Sequence, residues 1–128
     1  MKAKMKRSIR LALIACTFTV LPFTSFAHHS HGNYDVRNYT ELEGTVADVV
    51  WLNPHIWIYL LVDDGEGGTV TWALEGASIN EVSRHGWRKD SLQKGDRISV
   101  RCHALRDGAE GCLLGYVTPE GEEERAFD

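Results

Sequence analysis

From Glu41 onward, apolar and polar positions tend to alternate with a period of two, and turn residues punctuate the pattern. That period belongs to strands with one buried face. Glu41–Trp51 is the first such run, with β-branched and apolar residues gathered at Val46, Val49, Val50 and Trp51. Asn53-Pro54 ends it, because proline has no N–H to give a ladder and Asn-Pro favours a turn. In His55–Val62 the residues Ile56, Ile58, Leu60 and Val62 share one face, and Trp57, Tyr59 and Leu61 share the other. Asp63–Gly68 has the composition of a hairpin turn. Thr69–Glu75 follows, with Val70, Trp72 and Leu74 on one face. Arg97–Ala104 sets Ile98, Val100, Cys102 and Ala104 against Arg97, Ser99, Arg101 and His103. Arg106-Asp107-Gly108 is a second hairpin signal, and Cys112–Thr118 is the last run.

Between the third and fourth runs the period changes. Ser78 followed three residues later by Glu81 has the form of a capping box. Ile79, Val82 and Ser83 keep helical spacing and Gly86 supplies a stop, so a helix of about two turns is predicted, with Trp87 packed beneath it. Leu92–Asp96 reads as a turn. The order strand, strand, strand, helix, strand, strand matches the oligonucleotide/oligosaccharide-binding (OB) fold, a five-stranded, partly open barrel. A small β-sandwich with a helical connection is the competing arrangement. Residues 41–118 form the expected barrel domain. Residues 28–40 are a polar, His-rich arm. Residues 119–128, with Glu122, Glu123 and Glu124, read as a solvated, frayed acidic tail.

The start of the chain has a different character. Met1–Arg10 is basic, Leu11–Phe23 is apolar with a break at Pro22, and Ser25-Phe26-Ala27 offers small residues where a signal peptidase reads. This is a secretory pattern with cleavage after Ala27, which makes residues 1–27 a signal peptide. The apolar run falls short of the roughly 20 residues of a membrane span, so no span is expected after cleavage. The expected location is the periplasm. Secretion and a lipid anchor through Cys16, in the lipobox-like Leu13-Ile14-Ala15-Cys16, are the alternatives. The whole chain carries a net charge of -4, and loss of its five basic leader residues leaves nine bases against 18 acids, a net charge of -9. Such a domain repels phosphate backbones and anionic lipid, which argues against nucleic-acid binding.

Composition adds two candidate chemistries. Cys102 and Cys112 are an even pair in an oxidising compartment and lie at equal distances from Asp107. Hairpin partners occupy such positions, so a structural disulfide is expected. No CxxC motif points to redox catalysis. His28, His29 and His31 fall within four residues of one another. After cleavage His28 would offer its α-amine and imidazole to one ion, and His29 or His31 could add nitrogen. Imidazole ligands suit copper and zinc. His55, beside the Asn53-Pro54 turn, or His103 could complete the site on folding. Ser30 at the third mature position excludes the simple amino-terminal copper tripeptide. In OB folds the loop between strands one and two and the loop between strands four and five flank the binding surface, so Asn53, His55, Trp57 and Arg106 are candidate ligand-binding residues by fold analogy. Glu75 and Glu81 are carboxylates near a barrel end, but no nucleophile is paired with a base. GxSxG, HExxH and phosphate-binding glycine motifs are absent. No catalytic residue is assigned.

One family resemblance covers the whole mature chain. Ala27-His28-His29-Ser30, Leu42-Glu43-Gly44-Thr45-Val46, Asn53-Pro54-His55-Ile56-Trp57, Trp72-Ala73-Leu74-Glu75-Gly76, Gly86-Trp87, Leu92-Gln93-Lys94-Gly95-Asp96 and Arg106-Asp107-Gly108 resemble small exported bacterial proteins grouped as the domain of unknown function 6152 family. The resemblance implies export, a compact β domain and a His pair next to the cleavage site, and it carries no established activity. The sequence departs from the family pattern in two places. His31 and Gly32 follow Ser30 where an aromatic residue is usual, and Cys102 and Cys112 replace small residues. The expected function is binding of a small ligand or a copper or zinc ion. The alternative is a non-enzymatic module that binds a protein or peptide of the cell envelope.

Overall fold

The strand periods read from the sequence are realised in the computed structural model, which describes residues 31–128. The expected signal peptide with Cys16, and His28 and His29, lie outside the described residues. β1 (Thr40–Val50) is long enough to serve two neighbours. One part of it pairs antiparallel with β2 (Trp57–Asp63), and the other with β4 (Arg97–Ala104). A bulge between Val46 and Asp48 interrupts the β1–β2 ladder. Gly44 sits where β1 crosses β2, and a Cβ there would collide with the Leu61 carbonyl oxygen. Glycine is therefore required by close backbone approach.

β2 pairs antiparallel with β3 (Thr69–Glu75), and β4 with β5 (Gly111–Pro119). A short parallel ladder, Ala73 to Gly111, Leu74 to Cys112 and Glu75 to Leu113, joins β3 to β5. The five strands thus close in the circuit β1-β2-β3-β5-β4, the OB-like barrel, and the sandwich alternative falls away. Inward residues alternate as the period requires: Ile58 and Leu60 on β2, Leu74 on β3, Ile98 and Val100 on β4 are all buried. α1 (Ile79–Arg84) lies between β3 and β4, and Ser78 caps it by accepting from the Glu81 N–H at 3.3 Å. Val82 and Trp87 carry this segment into the core.

Cys102 and Cys112 form the expected disulfide, with Cα atoms 5.6 Å apart. Their pairing geometry differs from the one expected. The hairpin register is centred on Gly108, so Cys102 faces Leu114 and Cys112 faces Ala104. The bridge therefore crosses the ladder diagonally. Both half-cystines are fully buried.

The acidic tail was expected to fray, and here the structure corrects the sequence reading. Arg125–Ala126 forms β6 on β5. Phe127 is fully buried and packs edge-on against Trp87, with ring centroids 5.0 Å apart. The Trp87 indole N–H donates to the Ala126 carbonyl at 2.7 Å. Arg101 grips Glu124 through two hydrogen bonds of 2.9 and 2.7 Å. Burying one phenyl ring outweighs the solubility of the acidic residues around it, worth about 1.5–3 kcal/mol.

Candidate functional site

His55 belongs to no strand, yet its position is fixed by its neighbour. Ile56 is fully buried, donates to the Ala77 carbonyl at 3.1 Å and accepts from the Gly76 N–H at 2.8 Å. Asn53 accepts from the Ile79 N–H at 3.0 Å, which ties the same loop to the start of α1. Held on both sides, His55 places Nδ1 2.7 Å from Glu75 Oε1. The other carboxylate oxygen, Oε2, accepts from the Tyr34 hydroxyl at 2.6 Å. Burial, and then the Glu75 carboxylate it meets, push the Tyr34 phenol well above its ordinary value. A Tyr34–Glu75–His55 chain results. A carboxylate this close to Nδ1 favours the neutral tautomer protonated there, which leaves the lone pair on Nε2.

The sheet extends this site sideways. Glu75 on β3 is opposite Leu113 on β5, and Leu113 is opposite His103 on β4. These three positions form one row on the outer face, because Leu74, Cys112 and Cys102 beside them point into the core. Strand spacing puts the ends of the row about 10 Å apart. The segment 31–38 lies along this row. It opens with a 3-10 turn, His31–Asn33, and Tyr34 bridges to Leu105. The Asp35 N–H donates to the Ala104 carbonyl at 2.9 Å, and the Arg106 N–H donates to the Asn33 carbonyl at 2.9 Å. His103 Nδ1 lies 2.8 Å from the Asn38 carbonyl oxygen and 3.1 Å from that of Asp35. Carbonyl acceptors require a proton on Nδ1, so this ring too carries its lone pair on Nε2 when neutral. Tyr39 stacks on the ring at 4.3 Å. The Asn38 amide, donating to the Asp35 carboxylate at 3.0 Å, holds that carboxyl below its usual range.

Segment 31–38, the Pro54-His55 loop and the row together enclose a cleft of about 410 Å³. Three imidazoles line it, His31, His55 and His103, together with Glu81, Asp128, Leu113 and Leu114. Among the described residues no three of His, Cys, Asp and Glu stand close enough together to hold a metal ion unaided.

The sequence-chosen residues divide accordingly. His31 and His55 both line the cleft. Asn53 is engaged as a brace for α1. Trp57 opens β2 opposite Glu75 and is half-buried, and it does not line the cleft. Arg106 lines a separate groove with Asp35 and Arg37. No local pattern marks Tyr34 as a partner for Glu75, because 41 residues separate them. Glu75 had one weak mark: it is the outward residue that ends β3 directly after buried Leu74.

Among the described residues no helix is long and apolar enough to cross a membrane. No curated protein and no solved structure matches the chain. Residues 17–114 match the model of a family of unknown function, DUF6152, and the chain belongs to that family.

Proposed function

We propose that this is an exported protein whose cleft takes a copper or zinc ion, with His55 as the barrel's ligand and His28, His29 and His31 supplying further nitrogen from the arm. One observation carries the reading: the 2.7 Å contact of His55 Nδ1 with Glu75, itself held by Tyr34. Metal-binding histidines commonly give their second ring nitrogen to a carboxylate, which fixes the ring and raises the basicity of the ligating nitrogen. The donor set narrows the metal. The chain's methionines are Met1 and Met5, and Cys102 and Cys112 are consumed in the disulfide. Residues 31–128 therefore offer no thioether and no thiolate, and a nitrogen–oxygen set suits Cu(II) and Zn(II) over Cu(I).

The reading is tested with protein beginning at His28, titrated with Cu(II) and then Zn(II) by calorimetry and electron paramagnetic resonance. His55→Asn is the informative variant. Its amide nitrogen can replace Nδ1 toward Glu75 while Nε2 is lost. Copper affinity is expected to fall by about 10-fold or more in that variant. Binding that is unchanged by the substitution, or no tighter than that of a free His-His peptide, would sink the proposal.

A further inference from the structure

We infer that the first half of β3 is a docking edge: Thr69–Thr71 receives, by strand addition, an extended segment of a partner polypeptide that alternates apolar and basic residues. The inference is independent of the metal-binding reading and concerns the end of β3 away from Glu75. An open ladder is the first observation behind it. β3 stands at the end of the strand order and pairs with β5 only at Ala73, Leu74 and Glu75. The Ala73 N–H points to that side, where it donates to the Glu110 carbonyl at 3.0 Å. Backbone groups alternate along a strand, so the N–H and C=O groups of Thr69 and Thr71 point the same way. Among the described residues none bonds to them there, and both threonines are exposed. Sheet edges are commonly guarded by lysine, proline, a bulge or brevity. β6 is guarded in this way, with two residues and Arg125. Thr69-Val70-Thr71-Trp72 has no charge and no proline, and its ladder with β2 runs without a bulge.

Incomplete burial beside this edge is the second observation. Leu60 and Leu74 are fully buried, whereas Val62, Val70 and Trp72 on the same inward face are only half-buried. An apolar side chain of an added strand would cover Val70 and Trp72. On the outer face such a strand would lie beside Thr69, opposite Asp63, and Thr71, opposite Leu61. Charge is the third observation. Between Asn38 and Ser83 the chain has no lysine and no arginine. The hairpin next to Thr69 carries the exposed residues Asp63, Asp64 and Glu66, and Glu110 stands at the other end of the open stretch. The N–H groups of Glu66 and Gly68 hold the Asp64 carboxyl below its usual range, so the hairpin keeps its negative charge. This edge selects apolar residues on the inward side of the added strand and basic ones on the outward side. A second copy would bring the same acidic hairpin and is disfavoured by like charge.

The test uses protein purified from cells expressing the full chain, with its N-terminus read by mass spectrometry. The probe is a short synthetic peptide that alternates valine and lysine. One control alternates valine and glutamate, and the other is the valine–lysine peptide N-methylated along its pairing edge. Binding of the probe should slow amide hydrogen exchange at Thr69 and Thr71, weaken as salt is raised, and exceed that of both controls. Thr71→Pro removes an edge N–H. Thr71→Lys keeps the β2–β3 ladder and sets a like charge against the probe, so it serves even if the proline variant fails to fold. Each should weaken probe binding by about 10-fold or more. A probe that does not bind, that binds no better than the controls, that leaves exchange at Thr69 and Thr71 unchanged, or that binds Thr71→Lys as tightly as wild type overturns the inference. Protection of those amides in the protein alone overturns it too. Protection that grows with protein concentration would put a second copy on the edge, and protection independent of concentration would put another part of the same chain there.

Discussion

At the scale of single residues, the molecule turns on a carboxylate shared by two partners. Glu75 is about one-fifth exposed, and each of its oxygens is matched, one by Tyr34 and one by His55. Removing the phenol in Tyr34→Phe strips a hydrogen bond from a charged, mostly buried acceptor. A loss of about 1.5–3 kcal/mol is expected in denaturant unfolding. The pH dependence has a definite sign. The folded-state pKa of Tyr34 is raised above 10.0. Its contribution to stability is therefore complete below the unfolded value and is lost as the pH rises beyond it. Between about pH 9 and 11 the unfolding midpoint of wild-type protein should drop more steeply than that of Tyr34→Phe. Parallel curves would show that Tyr34 does not hold its proton as described. Little of this was legible beforehand. His55 drew notice because it follows a proline turn and could ligate a metal. Tyr34 looked like one more polar-segment residue, since nothing local announces a contact made 41 residues away.

At the scale of elements, the barrel strands and the tail obey the same rule of burial with different visibility. The His55–Val62 run that contains β2 and the run of β4 each repeat an apolar residue four times at period two, a signal strong enough to place each on its correct face. β6 has two residues and no period. Its docking depends on Phe127, which fills space beside Trp87 and lies so close to Gly76 that a Cβ there would meet the Phe127 ring at 2.7 Å. Phe127→Ala should cost about 3–5 kcal/mol, as other large core truncations do, measurable as a shift in the urea midpoint. A shift within the roughly 0.5 kcal/mol typical of surface substitutions would show that the tail does fray and that the barrel closes without it. The sequence hid this because a run of glutamates reads as solvated, and a lone aromatic residue near a terminus carries no pattern.

At the scale of the whole molecule, the parallel β3–β5 ladder and the disulfide beside it complete the barrel. Cys112 pairs with Leu74 across that seam, and its bridge to Cys102 ties β5 to β4. The covalent link spans 10 residues. Loop-closure entropy gives it a stabilisation of about 3 kcal/mol. Protein beginning at His28 should show no free thiols, and reduction should lower the urea midpoint accordingly. A midpoint unmoved after complete reduction, confirmed by thiol counting, would mean that packing alone closes the seam. Membership of a family without known function leaves the cleft as the guide to activity. The cleft exists only because segment 31–38 is draped over the closed seam.

The sequence by itself determined the five strands, their buried faces, the capped helix and the cysteine pair, and the β3–β5 ladder then decided for a barrel over a sandwich. Each of the sequence-determined features is written in local spacing, and local spacing decides which side of an element meets water. Only the tertiary structure decided that Tyr34 reaches Glu75, that Phe127 returns to Trp87, and that His31, His55 and His103 share one cleft while Arg106 faces another groove. Those outcomes depend on the register of non-local ladders, above all the β3–β5 and β4–β5 pairings. A shift of one residue in either would turn Glu75 or His103 away from the site.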